Sequence, residues 1–178
     1  MNASPISAIF PDHTARREWR GWQVADHYGD PVDEAMAVRQ TAGLIDRAWR
    51  AKLEVRGRDR ANFLHSMLTN DVKSLQPGEG CDAAFLTAMG KVIAFLRVHV
   101  LADRIYLELD DDIKAKTLEA LDRLLISERV EFRDATREWA ILSVEGPRAS
   151  EILQALGIAT LPDLPSSHLE VTLEDLSL

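Results

Sequence analysis

Residues 81–110 read Cys-Asp-Ala-Ala-Phe-Leu-Thr-Ala-Met-Gly-Lys-Val-Ile-Ala-Phe-Leu-Arg-Val-His-Val-Leu-Ala-Asp-Arg-Ile-Tyr-Leu-Glu-Leu-Asp, and this stretch decides the fold. Two short interruptions, Thr87 to Gly90 and Ala102 to Arg104, divide it into three strands joined by tight connections. From Val92 to Leu101 only Arg97 and His99 are polar. A strand wet on one face alternates more cleanly, so the middle strand is expected to be central and covered on both sides. Its two side-chain sets are Val92, Ala94, Leu96, Val98, Val100 and Ile93, Phe95, Arg97, His99, Leu101. A pocket is expected to use this hairpin as its floor.

Around this stretch, 178 residues suit one domain of ordinary size with a real core. A hydrophobic fraction of 46% and a charged fraction of 28% are those of a soluble globular protein. A net charge of −8 argues against nucleic acid as an obligate partner, because phosphate binding needs a basic face. Cys81 is the one cysteine, so no intramolecular disulfide forms and a reducing compartment is the natural setting. On a strand beside apolar residues it reads as a core residue; a reactive thiol is the alternative. No apolar run reaches the roughly 18 residues needed to cross a bilayer, and the first residues lack a basic leader, so a cytoplasmic location with no membrane partner is expected.

Residues 1–18 hold two prolines and are expected to be loosely ordered, with one domain over 19–178. Trp19 and Trp22 flank Gly21, which suggests a packed loop or an edge strand; the rings either plug the core or wall a ligand. Asp30 and Pro31 open a helix carrying Ala35, Met36, Val38 and Ala42, with Gly43 as its stop. Lys52 to Arg56 alternates as a strand with Leu53 and Val55 inward and its charges wet. Asp59 starts a second helix with Ala61, Leu64, Met67 and Leu68 on one stripe. A turn over Gln76 to Gly80 leads into the central strands.

Asp110, Asp111 and Asp112 precede a helix with Ile113, Thr117, Leu121 and Leu124 on one stripe. Three adjacent carboxylates cannot all face one ion, so capping and dipole compensation explain them, with a ligand role for Asp110 as the alternative. Strands follow over Arg129 to Asp134 and Trp139 to Val144, the second expected to be buried on both faces. Gly146 and Pro147 open a helix with Ala149, Ile152, Leu153 and Leu156, closed by Gly157. Leu169, Val171 and Leu173 alternate as a last strand, and a chain ending on an apolar strand reads as cut before its C-terminal half.

Metal sites are not indicated, since no two of the five histidines stand four residues apart and none lies at ligand spacing from Cys81. Walker and dinucleotide glycine loops are absent. A triad of Ser66, His65 and Asp71 fails because adjacent helical residues point apart.

Separate stretches together resemble one family. Arg20-Gly21-Trp22 with Tyr28-Gly29, then residues 37–46, Lys52 to Gly57, Leu68-Thr69-Asn70-Asp71-Val72, Gly90-Lys91-Val92-Ile93 and Gly146-Pro147-Arg148-Ala149 resemble the T-protein (aminomethyltransferase) of the glycine cleavage system. The resemblance implies an α+β fold, an antiparallel β-sheet flanked by helices, that binds tetrahydrofolate. The T-protein's Asn-Glu-x-Gly-Gly-Val-Ile-Asp-Asp falls on Thr87 to Phe95, so its first aspartate, needed for methylene transfer, is Ala94 here. An alanine can neither accept a proton nor orient an amine. The family's later asparagine falls near Asp110 and its tyrosine near Asp82. Leu86-Thr87 with Gly90 to Ala94 is closer to the YgfZ branch, folate-binding proteins that assist iron–sulfur cluster maintenance, although that branch's Lys-Gly-Cys-Tyr-x-Gly-Gln-Glu run is absent.

The resemblance thus implies a tetrahydrofolate-binding module with no catalytic residue of its own, linked to one-carbon metabolism or iron–sulfur maintenance, with an iron–sulfur or lipoyl carrier protein as partner. The expected seat of the pterin is Ala94, Leu96 and Val98, with Thr87 and Asp110 as polar anchors. The alternatives are a divergent aminomethyltransferase and an interaction module that has lost the ligand.

Overall fold

The three strands expected between residues 81 and 110 form the middle of a sheet. The computed structural model describes residues 2–4, 6, 14–158, 160–162 and 164–171. In chain order its elements are β1 (Asn2–Ala3), β2 (Arg16–Trp19), β3 (Trp22–Ala25), α1 (Pro31–Gln40), β4 (Gly43–Asp46), β5 (Arg50–Arg56), α2 (Arg60–Met67), β6 (Gly80–Leu86), β7 (Val92–Val100), β8 (Ile105–Asp110), α3 (Asp111–Asp122), β9 (Glu131–Asp134), β10 (Leu142–Glu145) and α4 (Ala149–Ala155). The result is a mixed α+β architecture. The chain divides into two compact units, Arg50–Trp139 with Pro162–Leu169, and Met1–Trp49 with Ala140–Leu161 and Glu170–Leu178.

The 50–139 unit is built on a five-stranded antiparallel sheet, ordered β6-β7-β8-β5-β9. Strand alternation sends Ala83 and Phe85 of β6, Ala94, Leu96, Val98 and Val100 of β7, Ile105, Leu107 and Leu109 of β8, and Leu53 and Val55 of β5 to one face. Phe63 and Leu64 of α2 and Leu121 of α3 belong to the same buried cluster. Closing this face removes the apolar side chains from water, which is the main favourable term for a unit of this size.

Four expectations change here. β7 is central in strand order, but its second face is open: Phe95 is 71% exposed and Arg97 is also exposed. The apolar run is dense because one face is core and the other keeps isolated apolar residues. β5 departs in the opposite sense. Its charged residues Lys52 and Glu54 are each 1% exposed, because the side chains beside them close over their stems. The helix expected from Asp59 starts at Arg60, and the Asp59 carboxylate accepts instead from the Arg129 amide at 2.8 Å. Leu124 lies beyond α3 and is exposed, so the buried stripe ends at Leu121.

The other unit holds a three-stranded sheet, β1-β3-β2, and a two-stranded sheet, β10-β4. Trp19 and Trp22 are a facing pair of the β2–β3 hairpin, turning through Arg20 and Gly21 with positive φ; Trp22 is buried and Trp19 is exposed. Residues 16–18 of the segment expected to be loose are thus part of a sheet; residues 1, 5 and 7–13 lie outside the described residues. Asp30 caps α1 as expected, accepting from the Val32 and Asp33 amides at 2.8 and 3.1 Å, with Pro31 at the first position. α1 ends at Gln40, and Gly43 opens β4 rather than stopping the helix.

The strand expected over residues 139–144 is β10. It starts at Leu142 and has an exposed Leu142, so it is not buried on both faces. Leu169 and Val171 carry no strand, and the rest of that expected strand lies outside the described residues. No described helix is long and apolar enough to cross a membrane.

Candidate functional site

The five-stranded sheet has a polar face opposite its core. Alternation places Phe95, Arg97 and His99 of β7 there, with Tyr106, Glu108 and Asp110 of β8 and Arg50, Lys52 and Glu54 of β5. β7 and β8 pair Arg97 with Glu108 and end on the Leu96–Leu109 pair, and Phe95 and Asp110 are the next residue on each strand. Arg50 and Asp110 are themselves a register pair. The row Phe95, Asp110, Arg50 therefore crosses three strands, with an exposed ring at one end and a guanidinium at the other.

Ion pairs fix the row. The Arg50 guanidinium donates to Asp110 and, at 2.9 Å, to Glu108 Oε1. His99 Nε2 lies 3.5 Å from Glu108 Oε2, and the His168 ring meets His99 edge-on at 5.4 Å. Burial alone would raise the Glu108 carboxyl; hydrogen bonds from His99 and Arg50 outweigh it and bring it down to about 2. Glu54 is the second hub. It accepts from Arg133 at 2.9 Å, from Arg56, and from the Tyr106 hydroxyl at 3.0 Å. The Arg133 bond, helped by those of Arg56 and Tyr106, holds the Glu54 carboxyl at about 2 against burial. Lys52 donates to the Trp139 carbonyl at 2.8 Å and lies 5.3 Å from the centre of that ring. Burial pushes its amine down, opposed by Asp111, Asp134 and Glu108. Glu54 and Glu108 are thus paired with cations and Lys52 is hydrogen-bonded, as their desolvation requires.

The structure separates the expected site residues. Ala94, Leu96 and Val98 are interior, Ala94 only 1% exposed, and all three belong to the buried cluster. The seat expected on them is corrected: a ligand reaches them only by displacing the core. Thr87 shapes the β6–β7 turn, its hydroxyl accepting from the Lys91 amide at 3.1 Å and its carbonyl from the Gly90 amide at 2.9 Å. Asp110 sits at the head of α3 but makes no side-chain cap bond; its carboxylate goes to Arg50. Asp111 pairs with Lys114 at 2.7 Å. Of the five, Asp110 alone stands on the polar face.

Cys81 is half-buried, packs against the core, and burial pushes its thiol up, away from a reactive thiolate. His65 and Asp71 do meet, at 3.1 Å, but the Ser66 hydroxyl donates to the Asn62 carbonyl, so no triad assembles. Among the described residues no group of three His, Cys, Asp or Glu side chains could hold a metal ion.

Sequence reasoning passed over Phe95, Arg50, Glu54 and Glu108. The signal for Phe95 was available, because it alternates with Arg97 and His99 rather than with Leu96. Glu54 and Glu108 gave none; only strand order shows what they meet.

The family model described as "GCVT N-terminal domain" matches residues 12–170. An aminomethyltransferase of Mycolicibacterium paratuberculosis is 33% identical over 142 residues, which are 79% of this chain and 38% of that protein. The aminomethyltransferase of Caldanaerobacter subterraneus is 28% identical over 161 residues, 88% of this chain and 42% of that protein. The crystal structure of glycine cleavage system aminomethyltransferase T from Bartonella henselae superposes with a TM-score of 0.73 at 21% identity, covering 82% of this chain and 40% of that one. The chain therefore spans about two fifths of the length of these relatives.

Proposed function

Because the chain belongs to the GCVT N-terminal domain family, we propose that it is a tetrahydrofolate-binding domain that seats the pterin on the polar face of its five-stranded sheet, over Phe95 and beside Asp110. The observation that carries this reading is an exposed aromatic ring on the same face as a carboxylate already oriented by Arg50. A flat heterocycle stacks on an exposed ring, and its amino edge donates to a fixed carboxylate. In this reading Asp110 keeps the anchoring role expected of it and Thr87 supports the turn. Ala94, Leu96 and Val98 serve as packing beneath the seat.

The domain binds rather than catalyses in this reading. The two positions aligned with the family's aspartate pair are Ala94, which is interior, and Phe95, which has no proton to exchange. Its cellular role is then that of a YgfZ-like folate-binding protein in one-carbon metabolism or iron–sulfur maintenance, working with an iron–sulfur or lipoyl carrier protein. The names of the relatives favour a second reading, a divergent aminomethyltransferase. The filled core around Ala94 favours a third, an interaction module without ligand.

Calorimetric titration with tetrahydrofolate tests the proposal. Saturable heat that weakens about tenfold in Asp110→Ala supports it. No heat selects the interaction module, and turnover of an aminomethylated carrier protein selects the enzyme.

A further inference from the structure

The unit of residues 1–49, 140–161 and 170–178 contains a cavity of about 660 Å³ that the folate reading does not use. We propose that this cavity binds a small planar organic cation, a flat aromatic ring with a delocalised positive charge at one edge.

Its size is in the range of small-molecule pockets. Trp19, Trp49 and Tyr28 supply aromatic walls, and Val24 and Val38 add aliphatic surface. The two indoles meet edge-on, 6.5 Å between centres. The chain already sets a planar cation against them: the Arg20 guanidinium lies 5.7 Å from the Trp19 ring centre and 5.6 Å from that of Trp49.

The charge lining the cavity points the same way. Arg17 is balanced by Asp26 at 3.3 Å. Glu34 and Asp46 line the cavity and form no ion pair among the described residues. One Glu34 oxygen accepts from the Tyr28 and Gly29 amides at 2.7 and 2.5 Å, and one Asp46 oxygen accepts from the Ala48 amide at 2.8 Å. Each carboxylate is thereby oriented by the backbone. Burial first, then Asp46 and Glu34, raise the Tyr28 hydroxyl, so the negative potential reaches the aromatic wall. Apolar walls favour a flat body, and two uncompensated carboxylates favour a cationic edge over a neutral or anionic one.

Benzamidine is the probe. The 178-residue chain is titrated with it, following tryptophan fluorescence and heat. The expected result is saturable one-to-one binding, with neutral benzamide about tenfold weaker and benzoate not saturating. Asp46→Asn and Glu34→Gln keep an oxygen for the backbone bonds and lose the charge. Each is expected to weaken benzamidine about fivefold while leaving benzamide unchanged. Equal affinity for benzamide, absence of saturation by benzamidine, or unchanged benzamidine affinity in both folded variants overturns the proposal. Because this site and the Phe95 row share no residue, failure here leaves the folate reading standing.

Discussion

Phe95 and Asp110 each lie one residue past Leu96–Leu109, the last register pair of the β7–β8 ladder, and alternation gives both to the polar face of the sheet. The ring is exposed while the carboxylate is held by Arg50. Their common face comes from strand alternation alone and requires no loop to order.

The two carboxylate hubs predict acid sensitivity. Glu54 and Glu108 titrate near 2 in the folded protein, below the usual 4.5. Depressed carboxyls stabilise fully above the unfolded value, and that stabilisation is lost as pH falls from about 4.5 toward 2. Urea midpoints measured from pH 6 to pH 2.5 should fall steeply below 4.5. Glu54→Gln should flatten that fall and cost about 2 kcal/mol at pH 7 by giving Arg133 and Arg56 a neutral acceptor in place of a charged one. An equally steep fall in the variant would contradict the assignment.

Lys52 has the opposite sign. Its folded amine is pushed below the ordinary lysine value by burial, so the folded state gives up its proton earlier than the unfolded chain. Stability should therefore rise as pH climbs through the folded value toward 10.5. Lys52→Met fills similar volume and removes the desolvated charge, so it should lie within about 1 kcal/mol of the parent at pH 7 and lose the alkaline rise. Denaturation at pH 7 and pH 10 checks both.

Ala94 tests whether the missing acid of the family can simply be restored. The position is interior, so Ala94→Asp buries a carboxylate among Leu96, Val98 and Phe85. The variant should lose about 3 kcal/mol or more at pH 7. Part should return on acidification, because burial raises the new carboxyl and the neutral acid is cheaper to enclose. Thermal melts at pH 7 and pH 5 decide it; a neutral effect would mean the position is accessible.

Two glycines with positive φ should behave differently. At Gly57, φ is +102° and a Cβ would overlap the Arg129 carbonyl; at Gly90, φ is +76° and a Cβ meets nothing within 4 Å. Gly57→Ala should cost about 3 kcal/mol and Gly90→Asn under about 1 kcal/mol, as read from chemical denaturation.

The hairpin, its two turns, the Asp30 cap and the α+β class were legible because each rests on local signals: strand period, turn glycines and a capping residue. What escaped depends on neighbours distant in sequence. Lys52 and Glu54 alternate as wet residues, yet Trp139 covers one and Tyr106 and Arg133 enclose the other, about 50 to 90 residues away along the chain. The expected seat, Ala94, Leu96 and Val98, lies on the buried face of β7 for a related reason. A greasy strand shows which residues alternate together, but not which of the two sets faces the helices.

The measurement closest to the central claim is tetrahydrofolate affinity in Phe95→Leu. The ring is exposed, so the variant should keep the parent's thermal midpoint. The account predicts a tetrahydrofolate Kd raised about fivefold to tenfold, because a leucine cannot replace the stacking surface. An unchanged Kd in a variant that melts like the parent would contradict it.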